Sequence, residues 1–353
     1  MHAVYLNGHG GPETLEYRDD VPVPSPNADE VLIAVGAAGV NNTDINTRIG
    51  WYSKDITGST NDAGDQAQEP GDSGGWGGAL SFPRIQGADV SGTIVAVGSD
   101  VSDERIGERV LVRSMQDTMT NDPTACVVVG SEFDGGFAQF CSVRSSEAFT
   151  IDSELTDVEL ASFPCAYSTA EGMLHKIDLS EGERILITGA SGGVGSAAIQ
   201  LAKRRGAHVT AVASKAKWDD LEPLGADVLV DRNTDLVAEF GEDAFDVVAD
   251  VVAGPTWPAL LEVLRNQGRY VASGAIAGPI VELDVRTLYL KDLTLTGSTQ
   301  QPRIVFENLI RYIEAGEIQP IVAKTYPLED IAQAQQDFLD KTYAGKLVLE
   351  PPQ

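Results

Sequence analysis

The sequence predicts an α/β protein in which a β-rich first part is followed by a doubly wound parallel sheet with helices on both faces. Three observations carry this. From about Asp157 onward, strand patterns and helix patterns alternate, as they do when parallel strands are joined by crossover helices. A strand runs directly into the glycine-rich turn at 189–195, which opens a helix. The first third instead consists of short β-branched or aromatic runs separated by turn residues. With 353 residues and roughly 100–200 residues per domain, two domains are expected.

Taken in order, strands are expected at 4–6, 31–38, 92–97, 109–112 and 137–143. Pro22, Pro24, Pro26 and Asn27, and later Gly98-Ser99-Asp100, mark the turns between them. From Ser53 to Ala79 runs a Gly/Asp/Ser/Gln-rich stretch without apolar periodicity. Loops of that length are functional lids or surface insertions, and a surface insertion is the first expectation here. A helix pattern covers 158–176, where Pro164 should kink or divide it. The alternation then runs strand 184–188, helix 194–205, strand 208–213, helix 217–224 and strands 227–230 and 245–251. Helix 256–264 and strands 268–273 and 293–296 follow, then helix 304–315, a tail of mixed character and the apolar strand 346–349.

Composition excludes several classes. Hydrophobic residues make up 42% of the chain, so it is not intrinsically disordered. The longest nearly continuous apolar stretch, 31–40, is about half the roughly 20 residues a membrane span needs. No secretory signal is legible at the N-terminus. A soluble, cytoplasmic protein is therefore expected. The 25 Lys+Arg against 53 Asp+Glu give a net charge of −28, which repels a polyanion and argues against nucleic-acid binding. Only nine lysines occur. Self-repulsion of this size destabilises a compact state, and concentrated salt screens it, so a salt-loving host is expected. Cys126, Cys141 and Cys165 have no short mutual spacing, which leaves neither a disulfide framework nor a CxxC metal knuckle.

The strongest chemical motif is Ile185-Leu186-Ile187-Thr188-Gly189-Ala190-Ser191-Gly192-Gly193-Val194-Gly195. Glycines here permit a tight turn and let backbone N–H groups approach a pyrophosphate, which the helix N-terminus stabilises. Ala190, Ser191, Gly192, Gly193, Val194 and Gly195 are accordingly cofactor-binding candidates. At the end of the second strand, about 20 residues on, an acid would hold the ribose 2′-OH of NAD. The chain instead reads Ala213-Ser214-Lys215-Ala216-Lys217, with no carboxylate before Asp219. Ser214, Lys215 and Lys217 suit a 2′-phosphate, so NADP(H) is the expected cofactor. Ligands of such sheets bind at the carboxyl ends of the strands, which adds Asp250 and Gly254 after one strand and Ser273, Gly274 and Ala275 after the next.

The chain resembles the medium-chain dehydrogenase/reductase superfamily, and within it the zinc-free quinone oxidoreductase branch related to zeta-crystallin. The landmarks span nearly the whole sequence: Gly39-Val40-Asn41-Asn42-Thr43-Asp44, Gly87-Ala88-Asp89-Val90-Ser91-Gly92, Ile106-Gly107-Glu108-Arg109-Val110, Gly135-Gly136-Phe137-Ala138, Ser168-Thr169-Ala170, the glycine turn and Gly345-Lys346-Leu347-Val348-Leu349. The resemblance implies a GroES-like catalytic domain from 1–156 and 299–353 around a Rossmann domain from 157–298. It also implies a homo-oligomer, either a dimer or a tetramer. The zinc ligands of the related alcohol dehydrogenases fall at Asn41, Ala88 and Cys165, so one thiol remains of three ligands. Zinc needs about three protein ligands, and no metal is expected. The four histidines, His2, His9, His175 and His208, read as packing residues.

Without a Lewis acid the expected reaction is hydride transfer to a quinone or an α,β-unsaturated carbonyl, where the charge spreads over a quinol or an enolate. By resemblance Asn41 contacts the nicotinamide ribose and faces the substrate, and Thr169 touches the nicotinamide. Lys346 matches a family position and joins the cofactor-binding candidates. Tyr52 is a candidate proton donor or substrate wall. Asp44 is a candidate for catalysis, with a helix-capping role as its alternative. Competing functions are an alcohol or sugar dehydrogenase with an atypical zinc site and a non-catalytic NADPH-binding module.

The charge reading has a direct test. The protein should melt at least about 5 °C higher in molar KCl than in dilute buffer, about 4 kcal/mol at this chain length. Equal melting temperatures in both would refute the salt-loving reading.

Overall fold

The computed structural model describes residues 1–60, 79–117 and 126–353. Most of the expected insertion, 61–78, therefore lies outside the described residues. The described chain forms two compact units, one from 1–56, 79–117, 126–165 and 306–353 and the other from 57–60 and 166–305.

In the first unit, β1 (Ala3–Leu6) pairs antiparallel with β2 (Leu15–Arg18). The long β3 (Glu30–Val40) leads into α1 (Asn42–Ile49). The short β4 (Arg84–Ile85) joins β1, giving a three-stranded sheet in the order β2-β1-β4. Next come β5 (Ser91–Val97), β6 (Arg109–Val112), the β7 (Met115–Asp117) and β8 (Cys126–Val128) pair, β9 (Phe140–Arg144), β10 (Ala148–Thr150) and α2 (Asp157–Leu160). The chain re-enters this unit late, through β17 (Val322–Pro327), α10 (Ile331–Leu339) and β18 (Lys346–Glu350). The main sheet runs β10-β6-β5-β3-β18-β17, with β9 also pairing β3. Val31, Ile33, Val35, Val110, Phe137 and Leu349 lie in its core. Antiparallel pairing sets Leu347 of β18 opposite Val40 of β3, so the last strand delivers its first residue, Lys346, beside the start of α1.

The chain passes from the first unit into the second within α3 (Pro164–Lys176) and continues β11 (Arg184–Ile187), α4 (Gly193–Arg204), β12 (His208–Ala213), α5 (Trp218–Leu221), β13 (Val228–Asp231), α6 (Leu236–Phe240), β14 (Phe245–Asp250), α7 (Trp257–Glu262), β15 (Leu264–Ala272), α8 (Val285–Leu290) and β16 (Thr294–Gly297), returning to the first unit within α9 (Arg303–Glu314). Its six strands are all parallel, in the order β13-β12-β11-β14-β15-β16. The order reverses between β11 and β14, and at such a switch point the carboxyl ends of the strands open a crevice.

The expected 158–176 helix is two helices. Thr156 caps α2, accepting from the Glu159 N–H at 3.2 Å while Glu159 Oε2 accepts from the Thr156 N–H at 2.7 Å. Pro164 then opens α3, because its missing N–H falls in a first turn where no intrahelical bond is needed. α2 packs against β3 and β5, so it belongs to the first unit. The tail of mixed character holds β17 and α10. Most of β17 is exposed, so it shows no apolar alternation. α1, with the sequence NTDINTRI, was also hidden, since its polar residues are buried by their neighbours rather than by their own hydrophobicity. No described helix is long and apolar enough to cross a membrane.

Candidate functional site

In the first unit the chemistry gathers where β3 meets α1. Asn41 is the residue before the helix, in extended backbone, and the Asp44 carboxylate accepts its N–H at 2.8 Å. Asp44 thus closes the N-terminal turn of α1, and Gln86 Nε2 bonds the Asp44 carbonyl at 2.8 Å. Around Asn41 three side chains lock together. Its Nδ2 donates to Asp89 Oδ2 at 2.9 Å and to the Gly39 carbonyl at 3.3 Å, while its Oδ1 accepts from Lys346 Nζ. Lys346 Nζ also donates to Asp89 Oδ2 and to the Val40 carbonyl, each at 2.9 Å. The second oxygen of Asp89 accepts the Cys165 N–H at 2.6 Å. Gly39 makes room for this frame, because a Cβ there would sit 2.6 Å from both Asp89 Oδ2 and the Ala161 carbonyl.

Both ends of the Asn41 amide are engaged inside the protein. Lys346 is 3% exposed and all three of its ammonium hydrogens have protein acceptors. Tyr52 stands nearby, its hydroxyl donating to Thr43 Oγ1 at 3.0 Å. Burial pushes its phenol up to about 12, so it holds its proton firmly. Burial likewise raises the Asp44 carboxyl to about 7, and the neighbouring Asp89 charge adds to the effect.

The second unit holds the glycine turn. α4 starts at Gly193 after Gly192 in extended backbone, and no side chain caps it. The N–H groups of Gly193, Val194 and Gly195 are the first three of the helix and have no intrahelical acceptor. Gly189 adopts a positive φ of 59°. A Cβ on Gly195 would lie 2.3 Å from the Gly189 carbonyl, so only glycine lets the helix close on the turn. Gly192 is exposed, and its missing Cβ would meet nothing nearer than 3.5 Å. These residues fit a dinucleotide pyrophosphate. Ala190 contributes differently from expectation, being fully buried with its N–H given to the Val212 carbonyl.

Asp250 is the last residue of β14. It is 0% exposed, and its carboxylate accepts from Thr188 Oγ1, from the Tyr270 hydroxyl at 2.6 Å and from the N–H groups of Val252 and Ala253. It therefore ties together the carboxyl ends of β11, β14 and β15. Ala253, held in this way, takes a positive φ of 53°. Gly254 is buried too, with its Cβ position 2.8 Å from Ala277. Gly274 is exposed and Ala275 half-buried at the end of β15. Thr169 lies half-buried on α3, one turn past Cys165.

At the end of β12, Ser214 and Lys217 are half-buried and Lys215 is exposed. Lys215 Nζ lies 5.9 Å from the centre of the Trp218 ring. Arg232, which the sequence reading missed, adjoins them, its N–H donating to the Ala213 carbonyl at 3.1 Å. Its only signal in the sequence was a basic residue just after a short strand, and pairing of β13 with β12 brings it there.

The three positions at which the resemblance places zinc ligands do not suit zinc. They offer an amide bonded at both ends, the methyl of Ala88 and the thiol of Cys165, with the Lys346 ammonium already bonded to Asn41. Among the described residues no three His, Cys, Asp or Glu side chains are grouped to hold a metal.

Comparison with known proteins bears on both units. Residues 27–153 match the alcohol dehydrogenase GroES-like domain, and residues 193–315 match the zinc-binding dehydrogenase domain. The chain is 30% identical to a quinone oxidoreductase of Lama guanicoe, over 99% of this chain and 97% of that one. It is 28% identical to an acryloyl-coenzyme A reductase of Metallosphaera sedula, over 99% of both. A solved structure from Sinorhizobium meliloti 1021, provisionally assigned as an alcohol dehydrogenase, is 46% identical with a TM-score of 0.90, covering 100% of this chain and 97% of that one.

The raised Asp44 carboxyl has a measurable consequence. A group that binds its proton more tightly when folded favours the folded state most below its unfolded pKa near 4, and that advantage is lost as pH rises through about 7. Between pH 5 and 7 the wild type should therefore lose stability relative to Asp44→Asn, by at most about 1.4 kcal/mol per pH unit. Denaturant unfolding of both across that range checks it; parallel pH curves would show that Asp44 titrates normally.

Proposed function

The chain belongs to the medium-chain dehydrogenase/reductase superfamily, and we propose that it is an NADPH-dependent, zinc-independent oxidoreductase that delivers hydride to a quinone or an α,β-unsaturated carbonyl. The observation that carries this reading is the set of residues at the metal positions, where a lysine-bonded amide and a methyl stand in place of ligands. The quinone oxidoreductase and acryloyl-coenzyme A reductase relatives support the substrate class.

In this reading the N–H groups of Gly193, Val194 and Gly195 and the turn at Ser191 and Gly192 hold the pyrophosphate. Ser214, Lys215 and Lys217, joined by Arg232, meet the 2′-phosphate. Gly274 and Ala275 line the crevice at the strand ends, and Thr169 contacts the nicotinamide. Asp250 acts one step back, fixing the loop after β14. When bound, the reduced nicotinamide supplies the hydride. Asn41, fixed by Asp89 and Lys346, sets the floor of the site through its backbone and the side of its amide. Asp44 positions Asn41 by closing the first turn of α1. Tyr52, with its proton held by burial and its hydroxyl turned to Thr43, serves as a wall. A developing enolate or quinol spreads its charge over a conjugated system, so no full alkoxide has to be stabilised.

The competing reading is alcohol oxidation, which the 46% identity to the Sinorhizobium meliloti protein provisionally assigned as an alcohol dehydrogenase favours. We also read the chain as a homo-oligomer in a salt-rich cytoplasm. β16 is the edge strand of the parallel sheet, and Val285, Tyr289 and Leu290 beside it are more than half exposed; open edges and apolar patches of this kind seek a partner.

NADPH oxidation should be followed in molar KCl with 1,4-quinones, enones and acrylyl thioesters. At least one class should turn over without added metal and with chelator present, and NADPH should be preferred to NADH. In a Lys215→Ala/Lys217→Ala variant the KM for NADPH should rise about tenfold or more while that for NADH changes little. Preference for NADH, or alcohol oxidation that stops when one tightly held zinc is removed, would overturn the reading. Light scattering should give a mass at least twice the 37.4 kDa of one chain; a monomer would sink the oligomer.

A further inference from the structure

We propose that Lys346 is the resident cation of the Asn41–Asp89 frame, a positioning residue that supplies through a tethered ammonium the positive charge this pocket needs. The inference rests on the reading of this frame as the site floor and deepens it.

The frame contains a carboxylate, Asp89, with no solvent exposure. Burying such a charge is costly unless it is paired and hydrogen-bonded. Its side-chain partner of opposite charge is Lys346, at 2.9 Å, and the two side chains are 4% and 0% exposed. Three hydrogens on the ammonium meet three oxygens: the Val40 carbonyl, Asn41 Oδ1 and Asp89 Oδ2. This arrangement also settles which way the Asn41 amide points, since its oxygen must face the ammonium and its NH₂ the carboxylate. The charge pair therefore sets one rotamer for Asn41. Through Asp89 Oδ1 and the Cys165 N–H the same pair anchors the first turn of α3. Arg113 and Glu147 form a comparably buried pair elsewhere in the chain. Lys346 joins β18 to the end of β3 directly and, through Asp89, to the start of α3.

The side chain of Lys346 beyond Cβ has the shape of n-propylammonium. In Lys346→Ala, three oxygens lose their donor and Asp89 its counter-charge, and the cavity left has that molecule's shape. Three measurements test the role. Steady-state kinetics of Lys346→Ala should show kcat reduced about tenfold or more with the KM for NADPH within about twofold, as expected of misplacement at the site rather than lost cofactor binding. n-Propylammonium should raise the melting temperature of Lys346→Ala and restore part of kcat, and propan-1-ol should do neither. Lys346→Ala/Asp89→Asn should be at least as stable as Lys346→Ala alone, because removing both charges is less costly than stranding one.

The thermal measurements need no substrate. Should the wild type reduce neither quinones nor enones while the ammonium rescues stability, the proposed function falls and this inference stands. A Lys346→Ala variant with unchanged kcat refutes the inference. So does a melting temperature that responds equally to propylammonium and propanol, or a double variant whose losses simply add.

Discussion

The Lys346–Asp89 ion pair is the constraint on which the first unit's site depends. A buried carboxylate and a buried ammonium are each unfavourable alone, and here each is the other's answer. Because the pair's hydrogen bonds also run to Asn41, to the end of β3 and to the start of α3, satisfying the charges and shaping the site are one requirement. Gly39 is part of the same solution, since any side chain there would collide with Asp89 and Ala161. The frame is closed by protein groups, with Asn41, Asp89 and Lys346 bonded to one another.

The second unit solves a different problem by similar means. A doubly wound sheet presents its strand ends and helix N-termini at one edge, where uncompensated N–H groups favour an anion. That edge has to be held still. Asp250 does this from beneath: its carboxylate gathers Thr188, Tyr270 and two backbone N–H groups, and with them the ends of three adjacent strands. The positive φ at Ala253 is a local cost that this network sustains. Glycines then leave the approach to α4 clear of side chains.

Charge economy links the two units. In a chain of net charge −28, several of the scarce basic groups are inside. Lys346 sits with Asp89 and Arg113 with Glu147, while the half-buried Arg205 meets the buried Glu171 at 2.6 Å. Arg48, 2% exposed, donates to Gln335 and to the Gly10 carbonyl. Interior cations therefore keep defined partners, while the excess acid remains subject to the solvent's ionic strength.

Local patterns in the sequence determined what local physics governs. Alternating periodicities located the parallel sheet, and the glycine turn marked the helix N-terminus, because turn sterics and side-chain period are properties of neighbouring residues. Pro164 likewise announced the break between α2 and α3. What the sequence left undecided were groups whose meaning lies in distant partners. Asp250 looked like a ligand contact by its place at a strand end, and only packing of β15 against β14 turned Tyr270 onto it. Asn41 and Lys346 were each singled out, yet their bond joins residues 305 positions apart. The antiparallel pairing of β18 with β3 brings them together, and no local pattern records which buried charge a strand will meet when the chain returns.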